Sequence, residues 1–401
     1  MRPIAWTTIL ILFATAAAES GAHGTYRLDA ADTAGRAIEF PDTAERLTLT
    51  LDPHTHSVFS DGHVWPYIRV GEALRDDLDA YAVTEHLEYQ PHLADIPHPD
   101  RNRSWRESVA AAEGSDLIVI AGSEITRRLP AGHINALFLE DANALLRIPE
   151  GLPEGDAGAF YDATREWPEE DVLRAAGEQG AFVFLNHVHW TAQRPNGIAE
   201  LTDFHRRMID EGLVHGIEVA NGDTYSEEAF AIALEHDLTI IGTSDIHNLI
   251  DWDYEPHAGG HRPVTLVFAE ERSAAGIQAA LEARRTIAWY RNLLIGREAE
   301  LVPLLEASIV VEGARYLPDT QLLEVTLTNR SDARFLLENE SDWTLTGSAD
   351  LFELPPHATI RVELRTGEAL ERFELPLAVE NALVAPGEEA EIVLTGEVSD
   401  G

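Results

Sequence analysis

Short apolar runs recur along the first three hundred residues, and most of them are bounded by turn residues or end in polar side chains. Runs of this kind are typical of buried strands. The predicted strands cover residues 46–51, 80–83, 117–121, 134–139, 181–185, 216–220 and 239–241. Between them the apolar residues recur with helical spacing, and the predicted helices cover residues 65–78, 167–178, 201–211, 226–236 and 273–284. Strands that alternate with helices favour parallel pairing, and this many units predict an α/β fold that closes into a barrel of the TIM type.

The pattern changes after about residue 305, where apolar residues begin to alternate with period two. The alternating segments are residues 321–328, 359–364, 372–379 and 390–394. Turn signals such as Thr366-Gly367 and Pro386-Gly387 separate them. This spacing is typical of a small antiparallel β-sandwich. We therefore predict a barrel over residues 46–304 and a C-terminal β-sandwich domain over residues 305–401, which we interpret as a packing or attachment module.

The first residues have the order of a secretory signal. Arg2 is followed by an apolar run over residues 4–14 and then by the small residues Ala16 to Ala18. We predict a signal peptide over residues 1–18, an N-terminal extension over residues 19–45, and a periplasmic or secreted protein. A retained anchor is the alternative, although the run is short for a bilayer, and no later segment is apolar enough to cross a membrane. The chain has no cysteine, which excludes disulfides.

The charge balance is strongly acidic. The chain has 29 basic residues, all of them arginine, against 70 acidic residues, for a net charge of -41. Such a surface repels polyanions and disfavours long nucleic acids as substrates. It suits a salty environment, where screening weakens the repulsion between acidic groups. It is equally typical of a surface whose acidity serves only to keep the protein in solution.

Two long polar connections interrupt the predicted barrel, over residues 88–106 and 149–165. Loops of this length without secondary structure are usually functional lids or disordered. On a barrel of this kind they could overhang the site.

Histidine, aspartate and glutamate residues follow the predicted strands, at the barrel end where chemistry gathers. His54 and His56 have i, i+2 spacing, so both imidazoles can reach one ion, and Asp245 and His247 repeat that spacing. The candidate ligands are His54, His56, Asp61, His86, Glu124, His133, His187, Asp245 and His247. Imidazole and carboxylate ligands without thiolate suit Zn, Mn or Fe. Nine ligands are too many for one ion and about right for two or three bridged divalent ions.

These motifs resemble those of the PHP family, named for polymerase and histidinol phosphatase, over about residues 47–287. The resemblance rests on the motifs His54-Thr55-His56-Ser57, Ser60-Asp61-Gly62, Thr84-Glu85-His86, Gly122-Ser123-Glu124, Gly132-His133, Asn186-His187 and Ser244-Asp245-Ile246-His247. It implies a distorted (β/α)7 barrel with a trinuclear centre. The implied ion sites are His54, His56, Glu124 and Asp245; then Glu124, His133 and His187; then Asp61, His86 and His247. Many relatives carry aspartate where this chain has Glu85, so the resemblance implies a supporting role for Glu85 and leaves that role open.

The resemblance also implies the reaction, hydrolysis of a phosphate ester by a hydroxide that bridges the metal ions. We expect an exported phosphoesterase that acts on a small phosphorylated molecule, with unknown oligomeric state. His189 is the first candidate for the acid that protonates the leaving oxygen, and Asp245 is the second. Arg127 and Arg128 either clamp the phosphate or form a solvated loop pair.

Two alternatives stay open. A metal-dependent hydrolase of this kind could cleave another bond, such as an amide or a lactone. The chain could also be a non-catalytic metal-binding or adhesive protein in which the barrel is a scaffold. Turnover of phosphate esters would distinguish the phosphoesterase hypothesis from both alternatives.

Overall fold

A computed structural model describes residues 37–399, so the predicted signal peptide and most of the predicted extension lie outside the described residues. The first part of the described chain contains β1 (Leu47–Asp52), α1 (Pro66–Arg75), β2 (Ala80–Val83), α2 (Arg103–Ala111), β3 (Ile118–Thr126), β4 (His133–Leu137), α3 (Ala157–Thr164), α4 (Glu169–Gly177), β5 (Phe182–Leu185), α5 (Asp203–Asp210), β6 (Gly216–Asn221), β7 (Thr224–Tyr225), α6 (Glu227–Glu235), β8 (Thr239–Thr243), α7 (Ile250–Asp253), β9 (Val264–Ala269), α8 (Ala274–Glu282), β10 (Thr286–Tyr290), β11 (Leu293–Gly296) and α9 (Glu298–Ser308). The last part contains β12 (Ile309–Tyr316), β13 (Leu322–Asn329), β14 (Phe335–Asn339), β15 (Thr344–Thr346), β16 (Leu351–Leu354), β17 (Thr359–Arg365), β18 (Arg372–Ala385) and β19 (Glu388–Ser399).

The first part folds as a barrel, which confirms the predicted fold class. Strands β1, β2 and β3 pair in parallel, and so do β5, β6 and β8. The hydroxyls of Thr265 and Thr286 donate to the carbonyls of Gly242 and Ile240, at 2.8 Å each, and join β8 to β9 and β10. The barrel is therefore closed partly by threonine side chains, without a continuous backbone ladder at this seam.

The expectation of parallel pairing throughout the barrel is wrong at two strands. β4 runs antiparallel between β3 and β5, and β9 runs antiparallel between β1 and β10. Only residues 127–132 connect β3 to β4, and so short a connection can join antiparallel strands but not parallel ones. The barrel is thus distorted from the regular TIM pattern.

Apolar side chains fill the barrel where the strands converge. Leu51, Phe182, Phe184 and Ile241 are buried in one cluster inside it. The helices pack their apolar faces outside the strands, and Val172 and Leu173 of α4 show no exposure. This packing leaves the polar strand ends at one mouth of the barrel.

The second part is a sandwich of two sheets, as predicted. One sheet contains β12, β13, β15 and β17, and the other contains β14, β16, β18 and β19. The sandwich is joined to the barrel, because β18 pairs in parallel with β11 through Leu294 and Ala382. A single buried apolar cluster runs from Trp289 in the barrel to Phe335 in the sandwich. Within residues 37–399, no helix is both long and apolar enough to span a membrane.

Candidate metal centre

The nine predicted ligands meet at the mouth of the barrel because the strand ends are tied to one another there. Beyond β1, the Asp245 N–H donates to the His54 carbonyl at 2.9 Å, and the His56 N–H donates to the Ile246 carbonyl at 3.1 Å. Beyond β2, His86 forms a parallel bridge with Glu124 of β3. Backbone hydrogen bonds therefore fix the positions from which the side chains converge.

His54, His56 and Asp245 form the deepest group. The Nε2 atoms of His54 and His56 are 3.0 Å apart, and they lie 3.2 Å and 3.1 Å from Asp245 Oδ1. Both imidazoles are buried. Glu124 lies beside this group, with its carboxylate oxygens 3.7 Å from His54 Nε2 and 3.6 Å from His56 Nε2.

Asp61 and Glu124 gather the remaining histidines. His247 Nε2 is 3.0 Å from Asp61 Oδ1, and His86 Nε2 is 3.4 Å from Asp61 Oδ2. His133 Nδ1 and His187 Nε2 lie 2.9 Å and 3.5 Å from Glu124 Oε1.

Three groups of side chains have the geometry to hold an ion. They are His56, Asp61, His86 and His247; His54, His56 and Asp245; and His86, Glu124 and His133. His187 lies outside these groups but contacts Glu124, as described above.

Hydrogen bonds leave ligand-competent lone pairs on four histidines. Nδ1 of His54 donates to Glu218 at 2.7 Å, and Nδ1 of His247 donates to the Asp245 carbonyl at 2.8 Å. Nδ1 of His56 and of His86 faces a serine or threonine hydroxyl whose own proton is given to an oxygen. The Nε2 lone pairs of these four rings therefore point toward carboxylate oxygens.

At this site carboxylate oxygens face imidazole lone pairs, so neither atom can donate a hydrogen bond to the other, and a bound cation is needed to satisfy both. The Oδ1 atoms of Asp61 and Asp245 are buried and have no hydrogen-bond partner among the described residues. Each lies within 3.2 Å of an Nε2 lone pair. A divalent ion satisfies such a set of nitrogen and oxygen donors, so these residues fit a metal centre.

Electrostatics at the site favour a bound cation as well. Burial and the neighbouring His247 and His86 lower the pKa of His56 to about 3, which keeps this imidazole neutral and able to bind metal. Burial acts against the charged form of Asp61, but the neighbouring imidazoles of His247 and His86 hold its pKa below the usual range. Burial also opposes charge on His54, yet Asp245, Glu218 and Glu124 raise its pKa. The field that attracts a proton there would also attract a metal ion.

His187 and Asp245 have φ values of 26° and 48°, in the left-handed region that β-carbons disfavour. Strain of this kind persists where the surroundings hold a residue in place, and it clusters at functional sites.

Sequence reasoning missed Glu218, a fully buried glutamate in β6. Besides orienting His54, its carboxylate accepts the backbone N–H of His187 at 2.6 Å and the Thr243 hydroxyl at 2.9 Å. The available signal was a lone charge inside an apolar strand, since buried charges are rare unless they are paired.

Glu85 lies beside the cluster and supports it. Its carboxylate accepts the Ser57 N–H at 3.0 Å, the Ser60 hydroxyl at 2.6 Å and, in a very short contact, the Ser57 hydroxyl. These bonds fix the turn that carries Asp61 back to the histidines. The supporting position implied for Glu85 agrees with these contacts.

The arginines proposed to clamp phosphate lie elsewhere. Arg127 is buried, its Nη2 is 2.9 Å from Glu88 Oε1, and its Nη1 donates to the Trp167 carbonyl at 3.0 Å. Arg128 is exposed, and neither arginine lines the cleft above the cluster. Because the Arg127 guanidinium is already occupied by Glu88 and by backbone carbonyls, this geometry does not support a phosphate clamp.

His189 does line that cleft, and it is hydrogen-bonded there. The Thr224 hydroxyl donates to the Asn221 carbonyl at 2.8 Å, so it accepts the Nε2–H of His189 at 2.8 Å. The proton of neutral His189 therefore resides on Nε2.

The cleft is large and partly aromatic. Its volume is about 980 Å³, and its walls above the cluster include Tyr89, Tyr161, Trp190 and Asp223. Tyr89 belongs to the first long connection and Tyr161 belongs to α3 in the second, so both predicted lid segments border the site.

A solved relative with the same two-domain arrangement identifies the family. It is a two-domain protein from Bacteroides vulgatus that contains a predicted PHP-like metal-dependent phosphoesterase. The two chains are 38% identical, the match covers 93% of this chain and 100% of that one, and the TM-score is 0.80. This chain therefore belongs to the PHP-like metal-dependent phosphoesterases, a class of hydrolases, which confirms the resemblance seen in the sequence.

Other comparisons are more limited. The family model DUF5001, an Ig-like domain, matches residues 309–395. A metal-dependent phosphoesterase structure from Bifidobacterium adolescentis is 22% identical, with a TM-score of 0.37, and covers 51% of this chain and 90% of that one. An amidohydrolase structure from Chromobacterium violaceum, with bound sulfate and no metal, is 17% identical, with a TM-score of 0.33, and covers 49% of this chain and 87% of that one. No curated protein matches the chain.

Proposed function

We propose that this protein hydrolyses a small phosphate ester at a centre of up to three divalent metal ions. The observation that carries the proposal is the convergence of nine histidine and carboxylate side chains, with imidazole lone pairs directed at carboxylate oxygens. We propose that the ions are held within the three groups described above, that each imidazole gives its one lone pair to a single ion, and that His187 completes the set around Glu124. Bound ions would supply Lewis acidity that activates water and neutralises charge on the phosphoryl oxygens.

The chain's own residues prepare the site for this chemistry. Glu218 and the Asp245 carbonyl hold His54 and His247 in the tautomers that expose Nε2. Glu124 lies between histidines carried by four strands and is fully buried, so it keeps them together without a solvent-exposed charge. Because the ligand positions are fixed by backbone hydrogen bonds, little reorganisation is required when the substrate binds.

We propose that His189 moves a proton to the leaving oxygen. Its Nε2–H is at the wall of the cleft, where the Thr224 hydroxyl accepts it. In this step His189 acts as the imidazolium. A leaving oxygen that replaces this hydroxyl would receive the proton from Nε2, and the ring would be left neutral with its other proton on Nδ1. Asp245 remains the second candidate, since it lines the same cleft.

We also propose that the protein is exported, on the strength of residues 1–18 alone. Expression of the full chain as a fusion to a reporter that is active only outside the cytoplasm tests this. Removal of residues 1–18 should abolish the reporter signal, and an unchanged signal would exclude the proposed leader.

Hydrolysis is tested on the chain from residue 19, stripped with chelator and reloaded with Zn, Mn or Fe. We expect release of nitrophenol from a nitrophenyl phosphate monoester or diester that depends on added metal and is lost in His54→Ala. His257→Ala, at an exposed histidine outside the cleft, is the matched control and should keep full activity.

Metal analysis of the same samples gives the number of ions per chain. Folded protein that binds metal but hydrolyses neither ester would exclude the proposed function and favour another bond or a binding role.

A further inference from the structure

The walls of the cleft next to the metal centre are aromatic and open. The Tyr89 ring lies 5.5 Å from the His86 ring, and the Trp190 ring lies 5.4 Å from the rings of both His133 and His187. Tyr89 is 41% exposed and Trp190 is 43% exposed. Large aromatic side chains left open beside a site supply apolar contact area for a ligand.

Both aromatic walls are held in place. Tyr161 of α3 packs its ring edge-on against Tyr89 at 6.1 Å, and the Arg165 guanidinium lies over the Tyr161 ring at 5.3 Å. Trp190 is fixed by its contacts with two candidate ligand histidines, as described above. The rings are therefore preorganised, which limits the entropy lost when a ligand packs against them.

The remaining polar groups of the cleft set its charge. Asn221, Asp223 and Thr224 come from β6, β7 and the turn between them. Asp223 is exposed, and among the described residues that line the cleft it is the one carboxylate outside the nine-residue cluster. No arginine lines it within that part of the chain, and the sequence contains no lysine. Beyond the metal centre, a second anionic group on the substrate would meet repulsion from Asp223 with no arginine or lysine side chain to offset it.

We propose that Tyr89, Trp190 and Asp223 form a subsite for the leaving group and select phosphate esters of ring-bearing alcohols that are neutral or cationic. The phosphoryl group occupies the metal centre and the ring packs against the aromatic walls. Esters that carry a further carboxylate or phosphate beyond the ring are disfavoured. The cleft volume of about 980 Å³ is ample for a ligand of this size. The inference rests on the proposed function for the position of the phosphoryl group.

Binding of phosphonates, which cannot be hydrolysed at the ester position, tests the aromatic walls apart from catalysis. We expect the metal-loaded chain from residue 19 to bind phenylphosphonate about tenfold more tightly than methylphosphonate in calorimetry. Trp190→Ala and Tyr89→Ala should each weaken phenylphosphonate about three- to tenfold and leave methylphosphonate unchanged. Trp252→Ala removes an aromatic side chain that is 70% exposed and outside the cleft, and it should change neither.

A charged analogue tests Asp223. We expect 4-carboxyphenylphosphonate to bind more weakly than phenylphosphonate. Asp223→Asn should reduce the ratio of the two dissociation constants at least threefold. Asp319→Asn removes one exposed carboxylate from the sandwich domain and should leave that ratio unchanged.

Equal affinity of the wild-type protein for phenyl- and methylphosphonate would overturn the subsite, and so would failure of both to bind. Ring-selective binding without turnover of any phosphate ester would instead remove the proposed function and keep the subsite. Turnover of phosphate esters without ring selectivity would exclude the subsite and keep the proposed function.

Discussion

At the scale of single residues, the contact between Glu218 and His54 explains why the deepest histidine presents Nε2 to the site. We expect Glu218→Gln to weaken metal binding about 10- to 100-fold, because the amide keeps the shape but loses the charge that fixes the tautomer. Competition with a chromogenic chelator measures the affinity. Activity at saturating metal should fall less than activity at limiting metal.

The control for this substitution is Glu306→Gln, which removes an exposed carboxylate at the end of α9. It should leave metal affinity unchanged. If Glu218→Gln bound metal as tightly as the wild-type protein, Glu218 would have no part in orienting the ligand.

His205 gives a prediction about stability and pH. Its Nδ1 accepts the Thr202 N–H at 3.3 Å and its Nε2 donates to the Ala131 carbonyl at 2.6 Å, and burial lowers its pKa to about 4. An unfolded histidine has a pKa near 6.5 and takes up its proton first as the pH falls. The stabilisation is therefore complete above about pH 6.5 and is lost as the pH falls toward 4, by on the order of 3 kcal/mol.

Urea unfolding of the wild-type protein and His205→Gln between pH 8 and pH 4 tests this. The difference in free energy of unfolding should be greatest above about pH 6.5 and should shrink toward pH 4. The same comparison with His257→Gln, at an exposed position, should show no such trend. A difference that stayed constant with pH would mean that His205 is not held neutral.

At the scale of elements, the buried pair of Glu88 and Arg127 joins β3 to the two long connections. Arg127→Met should lower the free energy of unfolding by roughly 3–5 kcal/mol, because it leaves Glu88 buried without its partner. Adding Glu88→Gln to this variant should recover much of the loss. Chemical denaturation measures both.

Arg315→Met is the control for Arg127→Met, since Arg315 pairs with Glu324 at the surface of the sandwich, and it should lose about 1 kcal/mol or less. An Arg127→Met protein with normal stability but a greatly raised KM would restore the phosphate-clamp interpretation.

The elements also show which features the sequence could predict. All five predicted helices are present, within a few residues of the predicted limits, because each has an apolar face packed on the barrel. α2 and α3 lie partly or wholly within the two connections predicted to lack structure. Only two of the nine residues of α2, Trp105 and Val109, are large apolar or aromatic, and its buried residues are Ser104 and Ser108, so its helical pattern is weak. The reversed direction of β4 is set by chain connection and not by the side-chain pattern, so periodicity could not show it.

The candidate site was easier to predict than the topology around it. Nine ligand types in order along the chain were visible as motifs, and the structure brings them together. Glu218 and the aromatic walls of the cleft could not be predicted from the sequence, because their roles depend on the neighbours that the fold brings to them. Arg127 shows the opposite case, because it is close to the motif in sequence but its guanidinium pairs with Glu88 and does not line the cleft.

At the scale of the whole molecule, the sandwich is built onto the barrel through a shared sheet and a shared core. β11 pairs with β18, and Ala382 is fully buried at that junction. Two units that share buried apolar surface should unfold together. We therefore expect a single thermal transition in calorimetry for the whole chain.

Ala382→Asp should separate the two units. It places an unpaired carboxylate at the buried junction, which costs several kcal/mol and weakens the contact that couples the domains. We expect the single transition to fall in temperature and to split in two, while Ala349→Asp, at an exposed position of the same domain, should leave it intact. Two transitions in the wild-type protein would show that the junction does not couple the domains. Because the metal centre lies at the mouth of the barrel and the junction involves β11, metal affinity should survive a substitution that separates the units.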